Sequence, residues 1–123
     1  MTIQYLLLIY WDDSLWARIP TSDRNRIHQA CGAWHEELVQ TNRSRGAMGL
    51  QPAATATTLR EESGRLAVTD GPFAETREVL GGFEIIECQH LDEAIAIAKK
   101  FPGLRDGCTV EIRPTVAGNA CQD

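Results

Sequence analysis

Residues Ile3 to Trp11 read Ile-Gln-Tyr-Leu-Leu-Leu-Ile-Tyr-Trp, with Gln4 the one strongly polar side chain. In an extended chain Ile3, Tyr5, Leu7, Ile9 and Trp11 point to one side, and Leu6, Leu8 and Tyr10 to the other. A strand that is apolar on both faces belongs at the centre of a sheet, and that sheet must be covered on both sides. Whatever the rest of the chain folds into has to supply those two covers.

One cover is legible. Ile27, Cys31, Trp34 and Leu38 recur at steps of four, three and four, the stripe of a helix from about Ser22 to Thr41. Thr21 and Ser22 can cap its start, Asp23 suits the positive end of its dipole, and Asn42 tolerates the left-handed turn that ends helices. A second helix is expected over Leu91 to Phe101. Asp92 and Glu93 lie in its first turn, Lys99 and Lys100 in its last, Ala94, Ile95, Ala98 and Phe101 on its buried face, and Pro102 and Gly103 after it. Short strands are expected at Ala47 to Leu50, Ala54 to Glu61, Arg65 to Thr69, Phe83 to Cys88 and Thr109 to Arg113, with a turn of helix over Asp12 to Arg18. Glu62, Ser63 and Gly64 turn the second of these strands back on the third. Gly81 and Gly82 admit the chain to the fourth.

With that hairpin set aside, the order is βαββαβ, an α+β ferredoxin-like plait whose two helices cover one face of the sheet. The chain has 123 residues, one domain's worth, here residues 1–116 with residues 117–123 as a flexible tail. Nothing in it forms a third long helix for the second face, so a second copy of the sheet is expected there, in a homodimer.

Composition narrows the function. Seventeen acidic residues against twelve basic ones leave a net charge of −5, which disfavours nucleic acid as a partner. No apolar run approaches the roughly 20 residues that cross a bilayer, and no leader pattern precedes Ile3, so a cytoplasmic protein with reduced thiols and no membrane partner is expected. Cys31, Cys88, Cys108 and Cys121 show no C-x-x-C spacing. His28 and His35 lie seven residues apart, separated by about 10 Å along a helix. No metal and no cofactor are expected from these spacings.

The densest polar stretch is Asp70-Gly-Pro-Phe-Ala-Glu75-Thr-Arg77-Glu78. Glu75, Arg77 and Glu78 place opposite charges beside Asp70. They read either as a polar rim over an apolar pocket, with Phe73 as its wall, or as a network that pins the loop to the sheet or to a partner. Pro72 biases Gly71 toward an extended shape. The loop is expected along the cleft between the first helix and the sheet, or at the dimer seam, with Phe73 buried. Asp70 is expected to accept hydrogen bonds from backbone N–H groups, so that Asp70→Ala costs roughly 1–3 kcal/mol. His35, at the edge of the helix stripe, serves either as a base in a pocket or as an edge histidine bonded to solvent or backbone. His90 reads as a capping or surface residue. Tyr10 either donates into a cleft or packs in the core.

The loop resembles the DGPF signature of the YCII-related family. Tyr5-Leu-Leu-Leu-Ile-Tyr10, Leu50-Gln-Pro-Ala-Ala-Thr-Ala-Thr-Thr, Leu91-Asp-Glu-Ala94 and Val110-Glu-Ile-Arg-Pro114 extend the likeness along nearly the whole chain. The resemblance implies a ferredoxin-like protomer that pairs into a dimeric α/β barrel. It also implies a link to sigma-factor pathways in a stress context and, in some relatives, a lyase that uses a His-Asp pair on chlorinated aromatics. Counted without gaps from the Leu50 block, the relatives' histidine position falls at Cys31 and their aspartate position at Phe101. With Gly46 taken as the glycine that ends the helix, His35 fills the histidine position instead. Two functions follow as expectations. One is a noncatalytic module that binds a small ligand or serves a regulatory pathway. The other is a lyase or isomerase for an aromatic or carbonyl compound. There His35 and Asp70 transfer protons, Arg77 or Arg113 holds an anion, Tyr10 donates, and Phe73, Glu75 and Glu78 line the ligand.

Overall fold

The computed structural model describes residues 2–116; the tail at 117–123, with Cys121, lies outside the described residues. Six strands and three helices follow in the order β1 (Ile3–Trp11), α1 (Asp13–Arg18), α2 (Thr21–Gln40), β2 (Ser44–Gly49), β3 (Thr57–Glu62), β4 (Arg65–Asp70), β5 (Val79–Cys88), α3 (Leu91–Lys99) and β6 (Thr109–Pro114). The main sheet is antiparallel in the order β2-β5-β1-β6, and β3 and β4 form a separate hairpin. The fold is α+β. Without α1 and the hairpin, the element order is the βαββαβ read from the sequence.

The core lies between the main sheet and the two long helices. Tyr5 and Leu7 of β1 and Ile86 and Cys88 of β5 meet Leu38 of α2 and Ala94 and Ala98 of α3, with Trp34, Ile97, Val110 and Ile112 packed around them. Ile86 and Leu7 are fully buried. Leu6, Leu8, Tyr10, Phe83 and Ile85 point to the opposite face and are only half-buried, and Met48 beside Phe83 is exposed.

Several local expectations are corrected. Pro20, not Thr21 or Ser22, stands at the N-cap of α2, and no side chain caps that end. Pro20 presets the turn, so Thr21 is already helical, where its hydroxyl accepts a hydrogen bond from Arg24. Gly81 and Gly82 lie inside β5 rather than before it, because the strand runs back to Val79 through a bulge between Ile9 and Tyr10 of β1. There the Trp11 ring lies against Gly81, where a Cβ would come within 2.4 Å of it. Gly71 takes a left-handed φ of 96° rather than an extended shape, because glycine carries no Cβ to oppose it. Gly46 does not end the helix: α2 stops at Gln40, Asn42 takes the left-handed turn, and Gly46 forms a bulge in β2. The strand expected at Ala54 begins at Thr57, after a 3-10 turn at Ala53–Thr55.

Candidate functional site

α2 does not lie flush on the sheet along its whole length. Between its middle turns and the β1–β5–β2 strands is a cavity of about 250 Å³. Ile9, Ile27, Trp34 and Phe101 make its walls largely apolar. Trp16 of α1 closes one end; its ring stacks on Trp11 at 5.5 Å, nearly parallel, and leans against His28 at 5.2 Å. Phe101, Gly103 and Cys108 close the other, where Phe101 meets Trp34 edge-on at 5.0 Å. The indole N–H groups of Trp11 and Trp34 are directed into bonds with Asp13 (2.8 Å) and the Ile97 carbonyl (3.2 Å). Both rings therefore offer the cavity carbon surface.

One charged side chain interrupts this surface from within. Glu84 projects from β5 into the helix-facing side of the sheet and is 2% exposed. Its Oε1 lies 2.7 Å from Nδ1 of His35, and its Oε2 accepts a 2.6 Å bond from the Ser44 hydroxyl. Two local features make this geometry. His35 lies one turn beyond Cys31 on the cavity side of α2, and the bulge at Ser44–Gly46 turns the Ser44 side chain toward Glu84. A carboxylate only accepts hydrogen bonds, so Nδ1 of His35 is the donor of this pair, and in the neutral imidazole the lone pair then falls to Nε2. The His35 side chain is about one-third exposed, at 36%. The site thus holds an imidazole whose Nδ1 edge is bonded to a buried acceptor, a geometry shared with sites of general-base chemistry.

The two thiols of this cavity are poor nucleophiles. Burial pushes Cys31 above its ordinary value and Cys108 up to about 11, so both stay protonated near neutral pH. Among the described residues, no group of three or more His, Cys, Asp or Glu side chains is arranged to hold a metal ion.

Cys31 and Phe101, where the gap-free count places the relatives' histidine and aspartate, both line this same cavity. Those positions therefore converge on one site, with a thiol and a phenyl ring in place of a dyad. His35 enters the site from the next turn of α2 without any gap.

The residues of the Asp70 loop gather elsewhere. Asp70 ends β4 opposite Thr57, is exposed, and does not line the His35 cavity. Among the described residues no backbone N–H bonds its carboxylate; the turn is held instead by Gly71 N–H donating to Ala56 (2.7 Å) and Thr58 donating to Gly71 (2.8 Å). Phe73 is 76% exposed rather than buried, because nothing among the described residues packs above the loop. Phe73, Glu78 and Tyr10 line a separate groove of about 680 Å³ below the β3–β4 hairpin. Glu75 and Arg77 line another of about 530 Å³ against α1. Arg77 reaches Asp12 at 3.4 Å, and Glu78 accepts from Thr109 at 2.8 Å, so the charged residues tie the loop to α1 and β6. The Ser14 hydroxyl is the largest of the causes that hold the Asp12 carboxyl below its ordinary value. Arg113 pairs with Glu111 at 3.2 Å on the open sheet face, remote from His35. His90 caps α3, its Nδ1 accepting from Glu93 N–H at 3.3 Å.

The sequence reading missed Glu84 and Ser44. A signal for Glu84 was present: it stands two residues before Ile86 and four before Cys88, on the buried side of an alternating strand, where a carboxylate requires a partner.

The chain is thus an α+β fold in which a His–Glu pair is set at the wall of an apolar cavity between helix and sheet. The chain belongs to the YCII-related family, whose domain model matches residues 3–116. It is similar to an uncharacterised protein of Rhizobium meliloti (strain 1021), 33% identical over 111 residues, which are 89% of this chain and 90% of the relative.

Proposed function

We propose that this protein is a small-molecule enzyme in which His35 takes a proton from a bound organic substrate and returns it during an isomerisation or an elimination. One observation carries the reading: Glu84, buried under the cavity, accepts hydrogen bonds from both His35 and Ser44. A carboxylate has no fold reason to be there, since its desolvation outweighs any packing gain unless partners offset it. In the reaction, Nε2 of His35 accepts a proton from a carbon or heteroatom of the substrate. Glu84 stabilises the imidazolium that forms. The electron pair left on the substrate either takes the proton back at another atom or expels a leaving group. Apolar walls exclude water and strengthen each of these interactions. Asp70 has no part in this scheme.

The test uses 5-nitrobenzisoxazole, a small uncharged carbon acid. Removal of its C3 proton breaks the N–O bond and yields a coloured nitrile-phenolate in one step. The wild-type protein is expected to accelerate this step by at least about 100-fold over His35→Gln, the usual worth of a positioned base. Equal rates for the two proteins refute the reading.

We also propose that the protomer is a ferredoxin-like plait whose open sheet face is covered by a second copy. Leu6, Leu8, Tyr10, Phe83 and Ile85 on adjacent strands support this, as each is apolar and half-buried on a face that no helix covers. The β3–β4 hairpin adds Leu59, Leu66 and Val68, each at least 60% exposed on one side of a two-stranded unit that needs further packing to hold its shape.

A further inference from the structure

We propose that Gly32 is the entrance and the size-limiting residue of the α2 cavity, and that the cavity admits small ligands without negative charge. The substrate class rests on the reading of His35 given above; the entrance does not.

The fold does not ask for glycine at position 32. The residue lies in the middle of α2 with a helical backbone, where glycine weakens a helix relative to alanine. No neighbour excludes a side chain, since a Cβ built there meets nothing within 4 Å. Three other glycines of the cavity wall differ: a Cβ would come within 2.4 Å of Trp11 at Gly81, 2.9 Å of the Met48 carbonyl at Gly82 and 2.5 Å of Phe101 at Gly103, while Gly49, which also meets nothing, ends strand β2 rather than interrupting a helix. Of these five, Gly32 is the one inside a helix, where it faces open space and costs helix stability for no packing return.

Its position gives the return. His28, Gly32 and His35 are spaced by four and three residues, so they follow one another along one face of α2, and all three line the cavity. The missing side chain is a gap between two imidazoles, opening onto the indole and phenyl surface behind them. A residue larger than glycine would stand in that gap and lean toward His28.

The charge selection follows from the lining. Among the described residues no lysine or arginine borders the cavity, and the carboxylate of Glu84 lies beneath it. The aromatic faces turned toward a ligand carry negative quadrupole. A carboxylate or phosphate ester would give up its hydration without meeting a fixed cation, whereas an uncharged ligand with one acidic hydrogen meets Nε2 of His35.

Quenching of tryptophan fluorescence tests this without a known substrate. Trp11, Trp16 and Trp34 are the only tryptophans of the chain, and all three line the cavity. The probes are acrylamide, which is small and neutral, and iodide, at about 0.5 M total salt, where a Debye length of about 4 Å screens the net charge of the chain. Wild-type protein is expected to be quenched more strongly by acrylamide than by iodide. Gly32→Leu is expected to lower the acrylamide quenching constant about twofold by filling the mouth of a small pocket. Gly32→Ala is expected to lower it less while raising the thermal midpoint by about 3 °C, which shows that the fold is intact. Unchanged acrylamide quenching in both variants overturns the entrance, and iodide quenching equal to that by acrylamide overturns the charge selection. His35→Gln is expected to abolish turnover of 5-nitrobenzisoxazole and leave the quenching pattern as it is. Equal turnover by wild type and His35→Gln, with the quenching pattern retained, therefore refutes the base and supports the entrance.

Discussion

Removing His35 should cost stability, and removing Glu84 with it should restore most of what was lost. Glu84 is 2% exposed and has two hydrogen-bond donors, His35 at 2.7 Å and the Ser44 hydroxyl at 2.6 Å. In His35→Ala, Oε1 keeps its burial and loses its donor. Breaking a fully buried ion pair from one side costs about 3–5 kcal/mol, and orphaning a neutral buried group about 1–3 kcal/mol. The His35 side chain is 36% exposed, so water can enter the space it leaves and replace part of the lost bond. The expected cost is therefore about 2 kcal/mol, in the lower part of these ranges. Glu84→Leu keeps a similar volume on a face already made by Ile86 and Leu7 and removes the desolvated charge, so it should fall within about 1 kcal/mol of wild type. The double variant His35→Ala with Glu84→Leu should then be more stable than His35→Ala alone, a coupling of about 1–2 kcal/mol against additivity. Urea unfolding of the four proteins at one fixed chain concentration measures this, since association would shift the apparent stability. The reasoning fails if His35→Ala lies within about 0.5 kcal/mol of wild type, or if the two single changes add in the double variant.

Three further outcomes are expected. Sedimentation at micromolar concentration should show a two-chain species that Leu8→Glu converts to the 13.6 kDa single chain, because a carboxylate on the open sheet face cannot be buried without a partner; a single-chain wild type refutes the paired sheet. Asp70→Ala should change unfolding free energy by less than about 0.5 kcal/mol, as for other exposed positions, and a loss above about 2 kcal/mol would reveal a buried contact for that carboxylate. Stability should fall in alkali: burial raises the Cys88 thiol from an ordinary 9.0 to about 11, so the folded state holds its proton longer than the unfolded state. Its contribution is complete below pH 9 and is lost as pH rises toward 11. Cys88→Ala should flatten the slope over that window, and an unchanged slope would show that this thiol contributes nothing to it.

The fold was legible where the sequence carried periodicity. The two-sided apolar strand, the stripe of Ile27, Cys31, Trp34 and Leu38 and the charged ends of the second helix each reflect burial, and burial is what a pattern of apolar residues encodes. Boundaries were less legible. Val79 and Leu80 read as loop because the glycine pair after them suggested a break, yet strand pairing with β1 continues through a bulge. A bulge depends on the partner strand, which local sequence does not contain. Phe73 was expected to be buried because it is aromatic, but its burial depends on what lies opposite, and the described residues place nothing there.

The site was legible by halves for a physical reason. His35 stood out as an ionisable residue at the edge of an apolar stripe, but its partner comes from β5, 49 residues away, and chemistry assembled across a sheet leaves no spacing to read. The conspicuous cluster of charge at Asp70 to Glu78 drew the catalytic reading instead. In the structure those charges bond to α1 and β6 at the surface, where solvent already satisfies them. A charge in water has little reason to be where it is; a charge kept out of water needs one. Glu84 is the one buried charged residue among those described, and its two donors account for the orientation of His35. The residue with the least conspicuous sequence context therefore constrains the chemistry most, because its desolvation must be offset by the same bonds that hold a base at the cavity wall.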